Sequence, residues 1–156
     1  MANYVFGNQC GRVAKFVDDI LAGGNDAIIW IPMATSGTAE QAENLTDFAA
    51  VEADANFSEQ TGTGWSRITH DETGDGLAVA YDATNNRIEV DSNDLVWAGP
   101  SSGNTVGLIA CYDPDTTTGT DSTLVPLVHL DMAVTANGQQ VTFQFNSEGW
   151  YNATRS

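Results

Sequence analysis

Basic side chains are what this sequence has least of. Only five of its 156 residues are Lys or Arg, against 21 Asp and Glu, which leaves a net charge of −16. The five, Arg12, Lys15, Arg67, Arg87 and Arg155, are scattered rather than grouped. Phosphate backbones are held by clustered cations, so nucleic acid is excluded as a partner, and docking to an anionic membrane with it. Histidine is as scarce, with His70 and His129 alone. Two cysteines, Cys10 and Cys111, are distant enough to pair across the fold. Cys111 lies inside an apolar run, however, and reads as a small buried side chain. The longest apolar run, residues 27–34, is far too short to span a bilayer. The first residues lack a basic flank, an apolar stretch and a small-residue cleavage site, which predicts a soluble protein made in the cytoplasm. There is no Walker loop, no G-x-G-x-x-G after a strand, no C-x-x-C and no G-x-S-x-G.

What is present suits strands. Apolar residues make up 42% and charged residues 17%, and the polar remainder is rich in Thr, Ser, Asn, Gly and Gln. Thr fits strands, and Asn and Gly fit turns. A chain of this length is most simply one domain, able to bury roughly 70% of its unfolded surface without a disulfide or a metal. The acidic excess reads as a solvated surface that keeps copies apart and suits display where salt screening is strong.

The densest pattern lies at residues 94–152. Residues 108–111 form a short apolar run, and residues 124–132 form another, broken by Pro126 and His129. Val141, Phe143 and Phe145 alternate with Gln140, Thr142 and Gln144, the period of a half-buried strand. Asn137-Gly138 between them takes the positive φ angles of a tight hairpin. The stretch predicts three or four adjacent antiparallel strands. Upstream, Val13, Phe16, Val17, Ile20 and Leu21 recur at helical spacing, with a strand as the alternative. Residues 27–33 read as a buried strand ended by Pro32. A second helix is expected around 44–53, capped by Thr46 or Asn44. Short strands are expected at 65–69, 77–80 and 87–91, and one beginning at 95. The expected fold is therefore mainly β, an antiparallel sandwich or barrel with one or two short helices in the N-terminal half. Residues 1–11 read as an arm, and 12–156 as one β-rich domain.

Chemistry-bearing residues are few. His129 and Asp131 share a strand face, a pair able to orient an imidazole, but no nucleophile motif accompanies them. His70, Asp71, Glu72 and Asp75 carry nitrogen and oxygen ligands, yet Gly74-Asp75-Gly76 is ordinary turn chemistry. Residues 113–122, DPDTTTGTDS, hold three aspartates without the spacing of a calcium loop. Trp30, Trp65, Trp97 and Trp150 are a candidate sugar-binding face, though each sits in or beside an apolar run, as core residues do. The sequence thus nominates no catalytic residue, no metal and no cofactor.

Three segments carry a family resemblance: YVFGNQCGRVAKF, YDATNNRIEVDSNDLVW, and above all LIACYDPDTTTGTDSTLVPLVHLDMAVTANGQQVTFQFNSEGWYNA. The chain resembles small virion proteins of tailed bacteriophages, many of actinobacterial hosts. Their pattern is an aliphatic run, a D-P-D-T loop rich in Thr, Gly and Asp, a Pro-Leu strand with His and Asp, a hairpin and a short aromatic stretch. The resemblance covers about the first thirty residues and the last seventy-five. It implies a capsid decoration or minor capsid protein, not an enzyme, on the outer surface of the assembled head, with the major capsid protein as partner. Three-fold sites on a shell favour a homotrimer. Alternatives are a tail or head–tail connector component and a carbohydrate-binding module displayed on the virion. Tyr4 and Phe6 with the basic flank of Arg12 and Lys15 form the candidate patch for capsid or subunit contact.

Overall fold

A computed structural model describes residues 2–154. The fold is mainly β and antiparallel, built as packed open sheets rather than a closed barrel. Along the chain come β1 (Tyr4–Val5), α1 (Val13–Leu21), β2 (Ala27–Thr35), α2 (Ala39–Ala42) and α3 (Phe48–Ala53). Then follow β3 (Ser58–Glu59), β4 (Ile68–His70), β5 (Ala78–Asp82), β6 (Arg87–Asp91) and β7 (Leu95–Trp97). The last four are β8 (Thr105–Asp113), β9 (Val125–Val134), β10 (Val141–Phe143) and β11 (Tyr151–Thr154). The main sheet runs β1-β9-β8-β2-β3, with β4 also on β2. A two-stranded sheet pairs β10 with β7, and a three-stranded sheet runs β11-β6-β5.

Strand β2 shows why the apolar run there is continuous. Ala27 to Met33 are all buried, without alternation, because both faces of the main sheet are covered. On one face Ile28, Trp30, Leu108, Ala110 and Leu130 pack with Val13, Val17 and Ile20 of α1 and with Leu95, Trp97 and Val90 of the smaller sheets. On the other, Ile29, Ile31, Met33, Ile109 and Cys111 pack with Phe6, Ala42, Phe48, Val51 and Phe57. Each such side chain contributes roughly 1.5–3 kcal/mol by leaving water.

Several expectations are corrected. Pro32 does not end β2; it sits inside it, opposite Leu108. The Pro32 carbonyl accepts from the Gln60 N–H at 2.8 Å, so its ring nitrogen faces the same side. That side is the gap between β4, which pairs as far as Trp30, and β3, which begins at Met33. A missing donor costs little there. The helix expected at 44–53 is shorter, α3 over Phe48–Ala53, and a separate helix not expected, α2, precedes it. Thr38 and Gln41 form a capping box on α2, and Asp47, not Asn44 or Thr46, caps α3 through the Ala50 N–H at 2.9 Å. The strands of 94–152 do not form one contiguous set. Asn137-Gly138 does turn, with Gly138 at φ 80°, but its N–H donates to the Pro100 carbonyl and β10 leaves for β7. β8 pairs with β9 and β10 with β7, in separate sheets, and β11 joins β6. Nor is the N-terminal segment a free arm. β1 pairs with β9, and Phe6 is fully buried.

Candidate functional site

The residues nominated for contact are split. Tyr4 stacks on His129, with ring centroids 4.7 Å apart, and its hydroxyl donates to the Gly37 carbonyl. Burial first, then the Asp131 carboxylate, pushes its phenol well above the ordinary range. Phe6 has no surface to offer, because it fills the second core. Arg12 and Lys15 are exposed at α1, where Arg12 lies over the Phe16 ring and Lys15 pairs with Asp19. The apolar anchor and its basic flank therefore do not form one patch.

Around His129 the structure adds a residue that the sequence reading missed. A Cβ at Gly107 would lie 2.2 Å from His129 Nε2 and 2.8 Å from Ser36 Oγ, so serine and imidazole converge over one glycine. The Ser36 hydroxyl and the His129 ring nitrogens are packed inside with the half-buried Tyr4 ring beside them, and burial lowers the His129 pKa below the usual histidine value. Ser36 Oγ is shut off from solvent. Only tertiary structure brings Ser36 to the strand carrying His129; no spacing rule announces it.

His70 is also a core residue. It is 4% exposed, and its Nδ1 accepts from the Trp30 indole N–H at 3.3 Å. Asp75 is spent on the Asp71 N–H. Burial lowers the His70 pKa against the pull of Asp75 and Asp71. The acidic loop is likewise turned on itself. Asp113 accepts from the Asp115 N–H, while Asp115 holds Thr117 and Thr118, whose hydrogen bonds lower its pKa. Asp121 meets Arg67 at 2.5 Å. Among the described residues no group of three or more His, Cys, Asp or Glu side chains is arranged to hold a metal.

Arg67 is the chief charge hub. Its guanidinium forks onto Glu59 at 2.8 and 2.5 Å, reaches Asp121, and lies over the Phe48 ring. The hydrogen bond from Arg67 lowers the Asp121 pKa, whereas burial, then Asp121 and Glu59, raise that of Glu52. The hub ties β3, the segment before β4 and the acidic loop to α3.

The tryptophans make no sugar-binding face. All four are at most 7% exposed, and they pack edge to face in two pairs, Trp30 with Trp150 and Trp65 with Trp97. Cys10 and Cys111 are both free thiols, the second buried and its pKa raised by burial. No helix among the described residues is long and apolar enough to cross a membrane.

One surface does stand open. On the three-stranded sheet, register places Val79, Val90 and Tyr151 in one row and Tyr81, Ile88 and Ala153 in the next. Two-residue spacing puts both rows on the same face. The first row is covered by the core that α1 helps to build. The second runs out past it: Tyr81 is 64% and Ile88 40% exposed, with Ala153 half-buried, around a concavity of about 420 Å³. Behind this sheet Arg87 binds Glu89, Glu148 and Asp82. Comparison with known proteins returned no matching family model, no matching curated protein and no matching solved structure.

Proposed function

We propose that this chain is a structural component of a tailed-phage virion: a decoration protein on the outer surface of the assembled head, seated against the major capsid protein as a homotrimer. The observation that carries the reading is the charge distribution. Of the 21 acidic side chains only Asp113 is buried. Arg67 and Arg87, two of the five basic residues, are already occupied by carboxylates of the same chain. A body displayed outward in many copies must keep particles from adhering to one another and to passing polyanions, and an acidic surface does that. The resemblance to phage virion proteins adds the particle. Its strongest segment covers β8, the acidic loop and β9, at the centre of the main sheet.

The test is stoichiometry. Purified heads of the phage that carries this gene are expected to hold hundreds of copies of the chain. About a dozen or fewer would move it to the neck or tail, where ring symmetry limits the number of sites. Hits on a glycan array, with heads left unbound, would favour the displayed sugar-binding module instead.

A further inference from the structure

Charge is segregated between the two ends of the main sheet. Antiparallel register brings Ala27 of β2 opposite Asp113 of β8, and Ile28 opposite His70 of β4, so the loops beyond them share one end. That end carries Asp26, Asp71, Glu72, Asp113, Asp115 and Asp121. At the other end Thr35 lies opposite Ser58, and Thr105 opposite Val134. Residues 99–104 and 135–140 leave the sheet there, and residues 60–65 join them. None of these three segments holds an Asp, Glu, Lys or Arg. Glu59, next to them in sequence, is taken up by Arg67. Interfaces differ from ordinary surface chiefly in lacking charge at their centre, not in being oily. On a chain with 21 acids an uncharged end therefore calls for a use.

The uncharged end is also held in advance. The Thr63 N–H donates to Ser102 Oγ at 2.8 Å, and the Ser101 N–H to the Thr63 carbonyl at 2.9 Å. Gln60 Nε2 donates to the Asn104 carbonyl at 2.6 Å, and the Trp65 indole N–H to the Gly103 carbonyl at 3.0 Å. The Gly138 N–H reaches the Pro100 carbonyl at 2.7 Å and ties the third segment to the second. A Cβ on Gly62 would lie 2.2 Å from the Ser102 carbonyl oxygen, so the first two loops touch backbone to backbone. Thr61, Thr63, Ser101, Asn104 and Gln139 are exposed on this platform. The surface continues onto β7, where Val96 is 50% exposed opposite Thr142 of β10. Loops interlocked before contact lose little entropy on binding.

Charge selects the occupant. Two copies of this chain each carry −16 and repel wherever acids face acids. A contact on a symmetry axis sets a patch against its own equivalents. At this end that means uncharged loops against uncharged loops. A basic partner would be met instead by the acidic end. We propose that residues 60–65, 99–104 and 135–140 are the surface by which copies of this chain associate, with the acidic ends directed away from the symmetry axis. That the copies number three rests on the decoration-protein reading; the surface itself rests on the segregation of charge and the interlocked loops.

The experiment is sedimentation of the full chain over a range of concentration and salt, with binding to heads assembled without it measured separately. Wild type is compared with Ser101→Asp/Gln139→Asp and with Thr73→Asp/Ala83→Asp, which adds the same charge at exposed positions elsewhere. Melting temperatures of both variants are measured alongside, since all four positions are exposed and the changes should leave the fold intact. Wild type is expected to form a trimer that tightens as salt rises, because screening weakens the repulsion between acidic bodies. The Ser101/Gln139 variant should associate at least tenfold more weakly, and the control should match wild type. A wild-type chain that is monomeric at every concentration and salt overturns the proposal, as does undiminished association of the Ser101/Gln139 variant. Equal weakening of both variants also overturns it, because net charge rather than this surface would then govern association. Wild-type trimers that bind no heads leave the surface standing and overturn the decoration reading; monomers that bind heads do the reverse.

Discussion

The main sheet and the three-stranded sheet use the same kinds of residue to opposite effect. In the main sheet, the central stretches of β2, β8 and β9 are buried on both faces, so their side chains have neighbours inside the molecule. In the smaller sheet, β5, β6 and β11 carry one apolar face, and the cover stops after the first row. Val90 is fully buried, while Ile88, two residues away on the same face, is 40% exposed. Apolar pattern alone therefore does not say what a strand is for. Where the cover ends inside the chain, the remaining row is available to another molecule.

The sharpest way to break this comparison is to truncate one residue from each sheet and measure urea unfolding. Trp30→Ala in the main sheet is expected to cost about 4 kcal/mol, since it empties the first core and leaves the His70 acceptor unpaired. Ile88→Ala should cost under about 0.5 kcal/mol, as exposed positions do. Equal losses would mean that the open row is packed in solution.

Gly107→Ala comes next. Alanine normally stabilises a strand relative to glycine, but here a Cβ would meet His129 Nε2 and Ser36 Oγ. The expected loss is about 2–3 kcal/mol, from overpacking of a filled interior. A gain would show that the serine–imidazole contact yields easily.

Arg67→Met should cost about 2 kcal/mol, because two carboxylates lose their partner. This is below the figure for a fully buried pair, since Arg67 keeps 30% exposure. Local hydrogen exchange should rise in the acidic loop and α3, leaving β2 and β8 protected. Loss of protection spread evenly over both regions would contradict the hub's local role.

The smallest effects are in pH. Both histidines have folded pKa values lowered by burial, so the unfolded chain binds protons first. Their contribution is complete above about pH 6.5 and is lost as pH falls towards the folded values. Asp121, lowered by Arg67, adds a contribution that is complete above the ordinary aspartate value and is lost as pH falls below it; the raised Glu52 opposes that loss. Stability in urea should therefore fall steadily from pH 7 to pH 3. His70→Gln should flatten the upper part of that slope.

Much of the fold was legible because burial writes itself into the chain. The apolar run at 27–33, the alternation at 87–91 and the helical spacing at 13–21 each fell where an element formed. Partners were less legible. Asn137-Gly138 encodes a turn, but not which strand lies beyond it, and β10 found β7 across the fold. Pro32 looked like a stop because the gap between β3 and β4 exists only in three dimensions. The candidate site was less legible still. The aromaticity of Tyr4 and Phe6 suggests a sticky arm, but it places Phe6 in the core and lays the half-buried Tyr4 on His129. Tyr81 lies near the end of β5, and its exposure depends on where the cover of its sheet stops.

The most direct test is the position of this chain in a residue-resolved map of the intact particle. The account predicts chains in hundreds of copies on the outer surface of the head. A chain found only at the neck or tail would contradict it.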